Sequence, residues 1–220
     1  MAGNFNYFRI EAAADSELFG AGQAVDFNSA IAMPPGLDLE WTNVVETGYE
    51  AVHGEWQKVA RQWMFKGPAS SLGLAFPLQS REELLQAFRS MECWPEYKAL
   101  ADRAANNLAE HGFATREPWQ LKHWGTEGNA EAGVVEASGG STIAWFLANK
   151  CPTPVLKAWS KRTPGTDLNV TCADDELRGG KRFTVRDGRV SGQVSLERDE
   201  RKALVDAFAR QCVKEAMKKP

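Results

Sequence analysis

The sequence lacks long apolar runs: across its 220 residues none approaches the roughly 18 uninterrupted apolar positions of a membrane-spanning helix. Its start, Met1-Ala-Gly-Asn-Phe-Asn-Tyr7, lacks the basic-then-apolar order of a signal peptide, so a cytoplasmic location is expected, with no membrane partner. Histidine is scarce, and the four cysteines, Cys93, Cys151, Cys172 and Cys212, form no C-x-x-C pair. That spacing argues against a zinc site or a redox dithiol, and free thiols are expected. No Ser/His/Asp or Cys/His grouping stands in a context that would activate a nucleophile. The expectation is therefore a chain with no catalysis, no metal and no cofactor.

What is present is ordinary in amount: 43% hydrophobic and 25% charged residues, in a length that suits one large or two small domains. The net charge of −3 is unevenly spread. Residues 1–150 hold 11 Lys+Arg against 19 Asp+Glu, net −8, and residues 151–220 hold 15 against 10, net +5. Such asymmetry points to two surfaces with different partners.

Alternation over Asn4–Ala12 predicts a strand, and Ala24–Ile31 repeats the pattern before the stop at Met33-Pro-Pro-Gly36. Val52, Trp56, Val59 and Trp63 recur at helical steps within Glu50–Phe65. Ser80-Arg-Glu-Glu reads as a capping box opening a second helix with Leu84, Leu85 and Phe88 inward. Trp94-Pro95 interrupts it, and Glu96–His111 predicts a third helix closed by Gly112. Short apolar runs at Trp119–Trp124, Ala132–Ala137 and Ser141–Leu147 read as strands. Thr153-Pro154 should cap a short helix ended by Pro164-Gly165. Asp167–Ala173, Arg182–Arg186 and Arg189–Leu196 alternate, with Asp187-Gly188 at a tight turn, and Asp199–Met217 is a terminal helix. The layout is α+β, an antiparallel sheet with helices on one face. It reads either as two portions, 1–116 as an N-terminal α+β portion with a helical insertion and 117–220 as the second, or as one continuous domain.

Three groups are candidate binding residues. His123-Trp124-Gly125-Thr126 reads either as a binding corner displaying Trp124 or as a strand end whose tryptophan is core. Asp174, Asp175 and Glu176 could offer hard oxygens to a cation or simply form a solvated loop. Lys181, Arg182, Arg186 and Arg189 flank the predicted hairpin, with Arg182 and Arg186 on one face able to meet phosphates. Base stacking finds only Phe183 nearby, on the opposite face, so sequence-specific RNA recognition is not expected.

Phe27-Asn-Ser-Ala-Ile-Ala-Met-Pro-Pro-Gly-Leu37, Trp119 through His123-Trp-Gly-Thr126, Ile143-Ala-Trp145, the proline-led helix to Trp159-Ser160, Asp174-Asp-Glu176 and Gly179-Gly180 follow one another in an order that resembles the YubB-like proteins. These are carried by bacteriophages and conjugative plasmids. The chain departs from that pattern at Glu127-Gly-Asn129, where a basic residue, tryptophan and aspartate are usual, and at Pro152-Thr-Pro154, where two prolines are adjacent. The resemblance implies a ferredoxin-like topology in the C-terminal half, a bacterial host cell, and no established reaction. It leads to the expectation of a mobile-element protein that inhibits a host antiviral system such as CRISPR interference. The partner would be a host protein or ribonucleoprotein complex, met by the acidic N-terminal part. The alternative is a nucleic-acid-binding protein using the basic C-terminal sheet and helix.

Overall fold

Alternating burial makes Asn6–Ala12 a strand, β1, which takes an interior position in the six-stranded sheet of the computed structural model. The structure describes residues 5–13, 16–20, 24–66, 78–138 and 140–217. The chain falls into two units, Met1–Met33 with Trp119–Pro220, and Pro34–Pro118. The first 33 residues fall with the C-terminal part because β1 hydrogen-bonds inside its sheet.

In the sheet unit β1 is joined by β2 (Glu131–Ser138), β3 (Ser141–Ala148), β4 (Leu168–Asp174), β5 (Gly180–Arg186) and β6 (Arg189–Ser195). Their order is β2-β3-β1-β4-β5-β6, with every neighbour antiparallel. β1 lies between β3 and β4, and β3 lies between β1 and β2, so both crossovers skip one strand. That is the split β-α-β arrangement of a ferredoxin-like sheet, extended by the β5–β6 hairpin. The expected α+β fold stands, and its topology requires β1 as well as the C-terminal half.

The sheet's two faces separate along β1. Phe8 and Ile10 are fully buried on one side, where Phe8 pairs with Phe146 in register and stacks on it at 5.0 Å. Each such ring or branched chain contributes about 1.5–3 kcal/mol by burial. This side also receives α6 (Thr153–Arg162), through Val155, Leu156 and Trp159, and the end of α5 (Arg116–His123). The other side, with Tyr7, Val134, Ile143, Trp145 and Ala173, is covered by Leu204 and Phe208 of α7 (Arg198–Ala216). Helices therefore lie on both faces: α5 and α6 share one, and α7 takes the second.

The hairpin turn is as predicted. Asp187 and Gly188 have φ of 48° and 78°, the pair of left-handed residues a two-residue turn demands. Beyond it Gly192, at φ 63°, allows the extra residue by which β6 slips against β5 between Arg182 and Thr184.

Two predicted strands are absent. Ala24–Ile31 holds a 3-10 turn at Phe27–Ser29, because the Asp26 carboxylate accepts from the Asn28 amide and starts a turn in place of an extended ladder. Trp119–Trp124 is α5 and its last turn. Leu121 is 40% exposed while Trp119, Gln120 and Trp124 are buried, so the inward face follows a helical period. Thr153 does not cap α6 either. It is the first helical residue, Pro152 precedes it, and its hydroxyl lies 3.6 Å from the Cys151 sulfur.

In the helical unit the single helix expected over Glu50–Phe65 is two. α1 (Asn43–Val52) starts at Thr42, whose hydroxyl accepts from Val45, and α2 (Trp56–Lys66) follows after His53-Gly54-Glu55. The Glu50 carboxylate accepts the Glu55 amide at 2.6 Å across that break. The side chain of Trp63 lies outside the described residues. α3 (Arg81–Arg89) is capped by Ser80, and α4 (Trp94–His111) ends at Gly112 with φ 75°, both as predicted. Leu84, Phe88, Ala51, Val59 and Trp94 form one core, and Leu39, Val45 and Ala104 another. Among the described residues, no helix is long and apolar enough to cross a membrane.

Candidate functional site

The aromatic landmarks converge in the sheet unit. Phe27 meets Trp124, Phe146 and Trp159 edge to face, with ring centroids 5.5–5.9 Å apart. The Trp124 indole N–H donates to the Ile31 carbonyl at 2.8 Å, and that of Trp159 donates to the Ser29 hydroxyl at 3.0 Å. Both rings are buried, and their polar edges are satisfied. Trp124 is thus core, not a displayed binding residue. Gly125, at φ 81°, ends α5 and lies so close to Pro154 that a side chain would not fit. Thr126 and the Glu127 amide both donate to the Asn149 side chain, and Asn129 bonds to the Phe27 amide and to the Asp26 carboxylate. Three of the islands that carry the resemblance, those of Phe27, Trp124 and Trp159, are therefore packing partners.

The acidic triple is a turn. The Asp174 carboxylate accepts from the Arg178 and Gly179 amides at 2.8 and 2.6 Å. Glu176 pairs with Arg178, and Asp175 is exposed. Among the described residues no group of three His, Cys, Asp or Glu is placed to hold a metal ion.

The basic residues occupy the β5–β6 hairpin, and every residue of β6 is exposed. Arg182 and Arg186 share the α7 side of the sheet, as expected, but each has an acidic neighbour: Glu200 at 3.3 Å for Arg182, Asp167 at 3.6 Å for Arg186. Arg189 stands opposite Arg186 in register. Lys181 is on the other side, its ammonium 5.4 Å from the Phe183 ring centroid. The sheet face that RNA-recognition folds leave open is covered here by α7.

No family model matches the chain, and no curated protein does. Among solved structures it is similar to protein api92 from Yersinia pseudotuberculosis, family model DUF1281. The identity is 7% and the TM-score 0.44, over 89% of this chain and 99% of that one.

Divided by unit, the charge asymmetry is smaller than along the chain but keeps an acidic side. Pro34–Pro118 holds 12 Asp+Glu against 8 Lys+Arg, net −4, and the sheet unit holds 17 against 18, net +1. Part of the acidic excess is tied up: Asp38 pairs with Arg103, Glu40 with Arg116, Glu46 and Glu50 with Lys58, and Glu82 with Arg89. Glu92 and Glu96 are exposed and have no ion pair among the described residues. Phe88, Met91, Cys93, Trp94 and Tyr97 line a shallow apolar depression where α3 passes into α4.

Proposed function

We propose that the chain is a binding protein of a mobile genetic element that inhibits a host defence complex by docking on it, without performing a reaction. The observation that supports this is the segregation of charge into a helical unit of net −4 carrying exposed, unpaired glutamates. Such a surface is attracted to basic, nucleic-acid-handling surfaces and competes there with the phosphate backbone. The mobile-element setting and the defence target come from the YubB-like resemblance. Inhibition would be stoichiometric. Expressed in a bacterium that restricts a plasmid by CRISPR interference, the protein should restore plasmid transformation, and the tagged protein should retain the interference complex. Unchanged restriction across hosts with different interference systems, together with no retained component, would defeat the reading.

A second reading, nucleic-acid binding, is favoured by one feature. Arg189 stands opposite Arg186 across the hairpin and, unlike Arg186 with Asp167, has no ion pair among the described residues, which leaves it open to a phosphate. Substituting Arg182, Arg186 and Arg189 by glutamate should then abolish a salt-sensitive retention on DNA or RNA. Retention that survives the triple substitution removes this reading.

A further inference from the structure

We infer that the α7 side of strands β4, β5 and β6 receives the phosphate backbone of a double-stranded nucleic acid. The inference rests on the nucleic-acid reading above and narrows it to one surface and one form of the ligand. α7 covers this side of the sheet over Tyr7, Val134, Ile143 and Trp145, and its apolar contact with β4 is Ala173. Past Ala173 the strands present a different pattern. In register, Arg9 of β1 is followed by Thr171 and Arg182, and Glu11 of β1 by Asn169, Thr184 and Ser191. Arg186 and Arg189 form the last pair before the turn. Asn169, Ser191 and the three arginines are exposed.

The make-up of that surface decides what it can hold. On this side β4, β5 and β6 carry three guanidinium groups, three hydroxyls and one amide, with Val194 the one apolar side chain past Ala173, and no carboxylate. The Thr184 hydroxyl donates to the Asn169 side-chain oxygen at 3.1 Å, which leaves the Asn169 amide nitrogen as a donor. Arginine, hydroxyl and amide donors are the groups that meet phosphate oxygens. The carboxylates that approach the arginines come from outside the strands: Glu200 of α7 lies 3.3 Å from Arg182, and Asp167 and the turn residue Asp187 lie 3.6 and 3.9 Å from Arg186. Exposed pairs of this kind contribute little, so a phosphate can replace them. No aromatic ring stands on this side of the three strands, and rings are what single strands stack their bases on. A duplex keeps its bases stacked within itself and needs only backbone contacts.

Fluorescence anisotropy with a short labelled DNA duplex, the matching RNA duplex and one of the single strands tests this. Either duplex should bind more tightly than the single strand, and the preferred duplex names the source of the backbone. Three arginine–phosphate contacts predict a slope of about −3 for log affinity against log salt, roughly a 40-fold loss between about 50 and 200 mM. Arg189→Gln should reduce that slope by about one unit, and Asn169→Ala should weaken binding roughly two- to ten-fold without altering it. Asp167→Asn with Glu200→Gln frees two guanidinium groups, so binding should tighten, by up to about five-fold per pair. Asp175→Asn with Glu176→Gln makes the same change of charge in the turn after β4 and should not match that gain. Far-UV circular dichroism should be the same for every variant. A single strand preferred over both duplexes, or any one of the three changes on this surface without its stated effect, overturns the inference and leaves the nucleic-acid reading standing. Absence of salt-sensitive binding to all three probes removes both.

Discussion

Replacing Trp124 by phenylalanine removes one indole N–H from a site that is 1% exposed. The Ile31 carbonyl, which accepted it at 2.8 Å, loses its donor. A buried acceptor left without its partner costs about 1–3 kcal/mol. The smaller ring also leaves space beside Phe27 and Trp119, whose centroids lie 5.8 and 5.5 Å from that of Trp124, and incomplete collapse adds roughly 1 kcal/mol. The expected loss is thus about 2–4 kcal/mol, measured by urea denaturation under far-UV circular dichroism with the m-value unchanged. Trp159→Phe provides the internal comparison. Its indole donates to the Ser29 hydroxyl, which can rotate toward another partner, so its hydrogen-bond loss should be nearer 1 kcal/mol. A cost for Trp124→Phe below about 1 kcal/mol, or below that of Trp159→Phe, would refute the argument that the tryptophan landmark is a satisfied core group.

Gly48 in α1 tests how closely two helices approach. A Cβ there would lie 2.5 Å from the Tyr97 carbonyl oxygen of α4, a backbone atom that cannot swing aside. Helix propensity alone makes Gly48→Ala stabilising by about 1 kcal/mol, while overpacking costs about 1–3 kcal/mol, so a lower melting temperature is expected. A higher one would show that the helices are further apart. Asp102 tests the same pair of helices electrostatically. Lys98, hydrogen-bonded at 2.5 Å, and then His53 at 3.1 Å hold its carboxyl below the usual carboxylate range. A depressed folded pKa means the stabilisation is present above the unfolded value near pH 4 and is lost as pH falls through the lower folded value. Asp102→Asn should therefore flatten the acid limb of a stability profile for the helical unit, modestly, since the side chain is 42% exposed and salt weakens the pair. An unchanged acid limb would contradict this assignment.

Local chemistry made much of the fold legible. Ser80 before Glu83, Gly112 after His111 and Asp187-Gly188 between alternating runs each specify a cap or a turn through atoms only a few residues apart, and all three stand in the structure. The misread segments are those whose outcome depends on distant partners. Trp119–Trp124 alternates as a strand would, yet α5 places Trp124 against Phe27, and only the convergence of the two chain segments decides which period is buried. Ala24–Ile31 likewise looks extended until Asn129, more than a hundred residues away in sequence, binds Asp26 and the Phe27 amide.

The candidate site divides along the same line. The basic hairpin was visible as charges beside a turn, but not the acidic partners Glu200 and Asp167 that half-neutralise it, because they come from α7 and from the residue before β4. Sequence alone determined the α+β class, the start of α3, the end of α4 and the hairpin, since these follow from side chains acting on their own backbone. Tertiary structure decided which tryptophans are core, that β1 completes a ferredoxin-like sheet, and which charges of the hairpin find acidic partners. Burial and charge pairing are properties of which segments meet, and no local pattern contains them.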